Sequence, residues 1–265
     1  MFQELKKKSI DFRLELLDLV QKHKKGHIPS AFSMMEIVVY LYYTDIMKNN
    51  DKLIISKGHA AFGLYPILAD KGLVDKKEFE KFTKPDGILR LYADNSIPGI
   101  EIPAGSLGHG VGIGVGFALV AKKDNENRDI FVISGDGELY EGSVWENFLF
   151  ASHYELDNFV LVIDRNRLCI LGETEKCIRL ENLKDKLKAF GFEVVAVDGH
   201  SYKDIKKGFE IVKNKNRKPK AIIANTIKAK GISFMENQPL WHNKIPTDEE
   251  FKKAKTEILS LVLGE

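Results

Sequence analysis

The sequence predicts an α/β fold: three α/β/α layers around a doubly wound, mostly parallel sheet. Short runs that are apolar on both faces (Leu53–Ser56, Ile130–Ser134, Phe159–Ile163, Glu193–Val197 and Pro219–Thr226) alternate with stretches of helical periodicity. No repeat, low-complexity tract or linker divides the 265 residues, so one domain, 1–265, is expected. The clearest strand–helix–strand unit lies between Asp129 and Cys177. One of its strands ends in Gly135-Asp136-Gly137 and the next in Asp164-Arg165-Asn166. Ligands of open parallel sheets sit at such carboxyl ends.

The elements follow in order. Residues 2–22 carry Ile10, Leu14, Leu17 and Val20 at helical spacing, and Gly26 and Pro29 punctuate the end. Ser33 followed by Glu36 is the capping-box pattern, which starts a second helix near Ser33. After the strand at Leu53, a helix is expected over Ala61–Lys71, closed by Gly72. Residues 73–104 read as irregular. The glycine-rich run Gly105–Gly116 continues into an apolar segment, so a tightly packed helix is placed from about Leu107 to Lys123. Its small residues let another backbone or a flat ligand approach. Further helices are expected from about Glu138, over Leu183–Phe190, over Tyr202–Lys213 and over 247–262.

Composition narrows the function classes. Forty basic against 38 acidic residues leave a net charge of +2, which provides no field for a nucleic-acid partner. Cys169 and Cys177 are neither spaced as CxxC nor flanked by histidines, so zinc is not expected and a reduced, cytoplasmic setting fits. The charged N-terminus lacks a signal-peptide core, and no run approaches the roughly 18 apolar residues of a membrane span. No membrane partner is expected.

The two strand ends carry the chemistry. Magnesium prefers hard oxygens and usually takes several from phosphate and water. Asp136 supplies a carboxylate and Asn166 an amide oxygen, while Gly135 and Gly137 let backbone approach a phosphate. A helix starting near Glu138 would point its N-terminus at that anion. The unit therefore reads as a site for a divalent metal and a diphosphate.

A Gly-Asp-Gly followed by an asparagine about thirty residues on resembles the thiamine-diphosphate motif. With Glu138-Leu139-Tyr140-Glu141-Gly142 and Trp145-Glu146, the sequence resembles the transketolase family. Ser56-Lys57-Gly58-His59-Ala60, Pro98-Gly99-Ile100-Glu101, Gly105-Ser106-Leu107-Gly108, Lys230–Glu236 and Trp241-His242 follow in family order. The resemblance implies a thiamine-diphosphate-binding fold and a cofactor pair of thiamine diphosphate with Mg²⁺ (or Ca²⁺ or Mn²⁺). It implies metal ligation by Asp136, Asn166 and the Leu168 carbonyl, with Gly135, Gly137 and Glu138 at the diphosphate. Gly105, Ser106 and Leu107 would meet the aminopyrimidine and Ile170 the thiazolium. His59 and His242 would lie near the diphosphate and reaction centre, His27 near the substrate's first carbons, and Glu141 at the contact between paired sites. His27, His59, His109, His242 and Tyr92 are the catalytic candidates.

Two departures bear on substrate. Tyr92 stands where the family carries a donor-binding histidine, and His109 replaces a glutamine. Both alter hydrogen bonding near the donor, which makes a specialised ketose or deoxysugar pathway possible. The chain also ends where the family continues into a pyrimidine-binding domain. The resemblance therefore implies the N-terminal subunit of a split transketolase, completed by a separate C-terminal subunit in an α2β2 assembly. The reaction implied passes a two-carbon ketol unit from a ketose (phosphate) to an aldehyde. A thiamine-diphosphate-dependent 2-oxo acid lyase or synthase and a non-catalytic scaffold are the alternatives.

Overall fold

The computed structural model describes residues 1–263. Helix α1 (Phe2–His23) is followed by α2 (Ile28–Ser33), α3 (Met35–Tyr43), β1 (Lys52–Ile55) and α4 (Tyr65–Asp70). Then come α5 (His109–Lys123), β2 (Ile130–Gly135), α6 (Gly142–His153) and β3 (Phe159–Arg165). A small hairpin of β4 (Leu168–Cys169) and β5 (Gly172–Glu173) leads into α7 (Thr174–Cys177) and α8 (Leu183–Ala189). The chain continues through β6 (Glu193–Asp198), α9 (Tyr202–Phe209), β7 (Lys220–Asn225) and α10 (Asp248–Leu263).

The five long strands form one parallel sheet in the order β1-β2-β3-β7-β6, which bears out the α/β reading. Successive residues of each strand enter different cores, as the two-residue period of a strand requires. Phe131, Ile133, Val160 and Val162 pack under α1, α3, α9 and α10, whereas Ile130, Val132, Leu161 and Ile163 pack under α5, α6 and α8. Because both faces are covered, the strands contain no polar alternation to read. In-register pairing of Gly135 with Asp164, and of Arg165 with Asn225, lines up the strand ends along one edge.

The glycines of α5 serve this packing. A Cβ on Gly110 would lie 2.7 Å from Ser56 Cα, and one on Gly114 would lie 2.4 Å from a Val132 methyl. Gly110→Ala should therefore destabilise the fold: overpacking against backbone costs about 1–3 kcal/mol, more than the ~1 kcal/mol of helix propensity that alanine returns. Thermal unfolding followed by circular dichroism should show a lower midpoint, and an unchanged or higher one would contradict this packing account.

Local signals were overridden in several places. Ser33 ends α2 instead of capping a helix; its hydroxyl donates to Ser30 O and to Asp164. Met34 precedes α3 without a side-chain cap. Glu36 faces the interior because the buried Arg13 guanidinium grips it through both oxygens, at 2.7 and 2.8 Å. The helix expected from Ala61 opens earlier as a 3₁₀ turn, Gly58–Leu64, and becomes α-helical at Tyr65–Asp70 with Pro66 in its first turn. Proline has no N–H for the ladder and is tolerated in that first turn. Gly108, at φ 83°, delays α5 to His109, and α9 stops at Phe209 before a 3₁₀ turn at Glu210–Lys213. The helix expected from Glu138 begins only at Gly142, after a 3₁₀ turn over Asp136–Tyr140. Glu138 closes that turn by accepting from Gly135 N at 3.2 Å, so no α-helix N-terminus faces the Gly-Asp-Gly.

Candidate active site

A cavity of about 310 Å³ opens at the carboxyl ends of β2, β3 and β7. Asp136, Gly137, Asn166 and Leu168 line it together with Lys57, His59, Lys228 and His242. Each arrives from a different strand end: Lys57 follows β1, Asp136 follows β2, Asn166 follows β3 and Lys228 follows β7. Parallel strands all deliver their C-terminal side chains to one edge, which is why residues as distant in the chain as Lys57 and Lys228 meet here.

Asp136 is buried, with 1% of its surface exposed. Its Oδ2 accepts from Arg165 Nη1 at 2.9 Å and from Arg167 N at 2.6 Å, and its Oδ1 accepts from Gly137 N at 2.9 Å. Burial pushes the carboxyl up to about 6; the Arg165 guanidinium opposes that rise and the Asp164 carboxylate adds to it. Asn166 is also buried, and its Oδ1 accepts from Leu168 N at 3.1 Å, tying the loop into a tight turn. A Cβ on Gly137 would sit 3.0 Å from Cys169 Cβ, so only glycine leaves its backbone open beside the β4 segment. One carboxylate, one amide oxygen and a main-chain carbonyl make a donor set for a hard divalent cation that takes further oxygens from phosphate and water. Among the described residues no cluster of three or more His, Cys, Asp or Glu side chains could hold a metal alone. The set therefore suits a cation that arrives with an anionic ligand.

Two lysines also line the cavity. Lys57 is buried and donates to Ser30 O at 2.9 Å and to the Asp164 carboxylate. Asp164, wholly buried, also takes the Ser33 and Thr226 hydroxyls. Burial alone would raise its pKa; Lys57 and these hydroxyls outweigh that and hold it below the usual carboxylate range. Lys228 is pushed down to about 8, first by burial and then by the like charge of Lys57. Its Nζ donates to His242 Nδ1 at 3.0 Å, which leaves the ring proton on Nε2.

His59 and His242 of the cavity lining form one cluster with His27 and Tyr92, which are not among the lining residues. Ring centroids lie 5.2 Å apart for His59 and His242, 5.6 Å for His27 and His59, and 5.9 Å for His27 and His242. Tyr92 stands 5.8 Å from His27. Burial lowers all three histidines, His242 to about 4, and Lys228 or Lys57 lowers each further. They are neutral imidazoles at pH 7, each able to donate through one nitrogen and accept through the other. His27 Nδ1 is buried and has no hydrogen-bond partner among the described residues.

Other selected residues fall differently. Leu107, Gly135, Glu138 and Ile170 line the cavity, Ile170 with two-thirds of its surface exposed. The Glu138 carboxylate is engaged within the protein, by the Ser56 hydroxyl and by Gly108 N at 2.7 Å. Gly105, Ser106 and His109 are exposed and not among the residues lining the cavity. Glu141 lines it. Lys57, Lys228 and Arg165 were not singled out in the sequence. Lys57 lies within the Ser56–Ala60 motif; otherwise the signal is position, a few residues beyond an apolar strand or at its last residue.

Comparison with known proteins agrees with this arrangement. The transketolase thiamine diphosphate binding domain matches residues 6–259. The A subunit of the apulose-4-phosphate transketolase of Phocaeicola vulgatus is 37% identical, covering 93% of this chain and 90% of that protein. The 6-deoxy-6-sulfo-D-fructose transketolase subunit SqwG of a Clostridium species is 36% identical, over 91% of each. The solved transketolase of Campylobacter jejuni superposes with a TM-score of 0.88 at 33% identity over 96% of this chain. This chain spans 42% of the length of that enzyme. Cavity, strand-end residues and sequence together place the chain in the transketolase family, as a member of its thiamine diphosphate-binding domain.

Proposed function

We propose that the chain, as one diphosphate-binding domain, is the N-terminal subunit of a split transketolase. It would transfer a two-carbon ketol unit from a ketose or ketose phosphate to an aldehyde. The observation that carries this is a single cavity lined both by a hard-oxygen set (Asp136, Asn166, Leu168) and by the cations Lys57 and Lys228. Lys57 is matched by Asp164, whereas Lys228, lowered by burial and by the like charge of Lys57, has its Nζ, among the described residues, only on the neutral His242 ring and suits an anion such as a metal-bound diphosphate.

In this reading Asp136, Asn166 and Leu168 hold Mg²⁺, with Ca²⁺ or Mn²⁺ as substitutes. The Gly137 amide, His59, Lys228 and His242 hold the diphosphate. Thiamine diphosphate supplies, when bound, the carbanion chemistry of ketol transfer. The protein holds and orients. His27, with its unpartnered Nδ1, suits a donor hydroxyl, and Tyr92 beside it replaces an imidazole with a phenol that cannot become cationic. The exposed apolar residues Leu107, Ile170 and Leu171 (37, 67 and 84% exposed) border the cavity mouth. Phe117, Val120, Leu149 and Phe150 extend apolar exposure along α5 and α6. Apolar surface of this kind marks interfaces and supports a separate C-terminal subunit with pyrimidine-binding and C-terminal domains, assembled as α2β2.

The test is reconstitution with that second subunit. Ketol transfer dependent on both chains, thiamine diphosphate and a divalent cation is the expected result. A pair that neither binds thiamine diphosphate nor cleaves any ketose would overturn the reading. Decarboxylation of a 2-oxo acid without ketose turnover would replace it by a lyase.

A further inference from the structure

Arg165 is the least expected residue of the site. It is the last residue of β3, directly before Asn166, and its side chain is 1% exposed. Strand alternation sends Asp164 toward Lys57 and Arg165 to the opposite face, under the β4–α7 segment. There its guanidinium makes four hydrogen bonds. Nη1 donates to Asp136 Oδ2 at 2.9 Å and to Thr174 Oγ1 at 2.8 Å; Nη2 donates to Glu175 Oε1 at 2.6 Å and to Glu181 Oε1 at 3.0 Å.

These partners are themselves anchored. Glu175 also accepts from Leu180 N and Glu181 N, and Glu181 from Leu183 N. The Tyr140 hydroxyl reaches Thr174 O and Ile178 O across the same segment. One planar fork therefore ties the Asp136 carboxylate to the stretch from Thr174 to Leu183. That stretch follows, after β5, on Leu168–Leu171, which lines the cavity. Only a guanidinium carries enough fixed donors to span these acceptors at once; a lysine ammonium carries three on a single nitrogen.

The two Asp136 oxygens are left unequal. Oδ2 already accepts two donors, from Arg165 and from Arg167 N, whereas Oδ1 accepts one, from the adjacent Gly137 N. A carboxylate oxygen offers two lone-pair sites. Oδ2 is thus occupied, and Oδ1 keeps a site for another electrophile. Groups that grip a metal-binding carboxylate from behind set its orientation, and their loss typically weakens metal affinity about 10–100-fold.

We propose that Arg165 is the positioning residue of the cation site, saturating Asp136 Oδ2 so that Oδ1 is presented to the metal and fastening the Leu168–Ile178 wall to the same carboxylate. This rests on the reading of Asp136 as a metal ligand. The measurement is Mn²⁺ binding to the full chain in the presence of thiamine diphosphate, by electron paramagnetic resonance, together with circular dichroism melts. Arg165→Met, if folded, should raise the Mn²⁺ dissociation constant about 10-fold or more. Arg165→Lys keeps the charge but not the fork, and should weaken binding by a smaller factor. A purely structural arginine would lower the melting midpoint yet leave the Mn²⁺ dissociation constant of the folded fraction unchanged, and that result overturns the proposal. So does tighter Mn²⁺ binding in Arg165→Met, which would make Arg165 a competitor for the carboxylate. Should the methionine variant fail to fold, the lysine variant decides: unchanged affinity refutes positioning. A wild-type chain that binds no Mn²⁺ with thiamine diphosphate overturns the cation site itself, and the proposal with it.

Discussion

Asp136→Asn should abolish cation-dependent binding of thiamine diphosphate while leaving the chain folded. The substitution conserves volume, and the amide oxygen can still accept from Arg165 Nη1 or Arg167 N. What it removes is the only carboxylate of the oxygen set. Titration calorimetry with thiamine diphosphate and Mg²⁺ should show affinity falling by at least about 100-fold, ~2.7 kcal/mol. Binding within tenfold of wild type would remove Asp136 from the metal site. Asp136→Ala is expected to behave differently, because it leaves the buried Arg165 facing a void. Arg165 keeps Glu175 and Glu181, but one buried hydrogen-bond partner and the packed carboxyl are lost, so the alanine variant should lose about 1–3 kcal/mol of stability as well as binding. The pH dependence follows from the raised carboxyl. The ligand-free site holds Asp136 protonated below about 6, a protonated carboxyl does not ligate a cation, and metal uptake should fade as pH falls through that value.

Arg13→Leu should be the most destabilising single change outside the site. Arg13 binds Glu36 through two hydrogen bonds and donates to Phe32 O at 2.8 Å, with 2% of its side chain exposed. Glu36 Oε2 is shared with His200 Nδ1 at 2.9 Å, and His200 Nε2 accepts from Ile227 N at 2.8 Å, so the ring is neutral with its proton on Nδ1. The chain of bonds runs from α1 through α3 to Ile227, the residue before Lys228. It therefore links the helical layer to a lysine of the cavity lining. Removing the guanidinium strands a buried carboxylate at about 3–5 kcal/mol, a fall in melting midpoint on the order of 10 °C for a chain of this size. A drop of only a degree or two would show that Glu36 finds another partner.

The same pair sets an acid limit. Burial would raise Glu36, but Arg13 and His200 more than reverse it and hold the carboxyl below the usual range. A folded pKa below the unfolded value of about 4.3 means stability that is complete above that value and is lost as pH falls beneath it. Wild type should lose stability below about pH 4 more steeply than Glu36→Gln, measured by urea unfolding across that range.

Much of this was legible in the sequence. Five runs apolar on both faces became the five parallel strands, because a sheet covered on both sides demands such runs wherever it lies in the chain. Gly135-Asp136-Gly137 and Asn166 come together at one cavity because strand ends about thirty residues apart across a helix are neighbours in the sheet. Gly72, at φ 72°, marked a helix end, whereas α1 closes on a left-handed Lys24 two residues before Gly26.

Other features were settled only by the tertiary structure. Ser33 and Glu36 carry a capping signal worth about 1 kcal/mol, and a buried arginine from another helix outweighed it. Glu138 looked like a helix start and became the staple of a tight turn, bonded to Ser56 and Gly108. Lys57, Arg165 and Lys228 are three of the 40 basic residues, and no local pattern separates a solvated lysine from a buried one. Burial and pairing depend on which strand ends the sheet order brings together, across 107 residues for Lys57 and Asp164 and 29 for Arg165 and Asp136. The sequence by itself determined the layered sheet and the meeting of Asp136 and Asn166 at adjoining strand ends, because those follow from periodicity and strand–helix–strand spacing. Only the folded chain decided the lysines of the cavity lining and the arginine behind the carboxylate, because desolvation and charge pairing are properties of a place in the sheet.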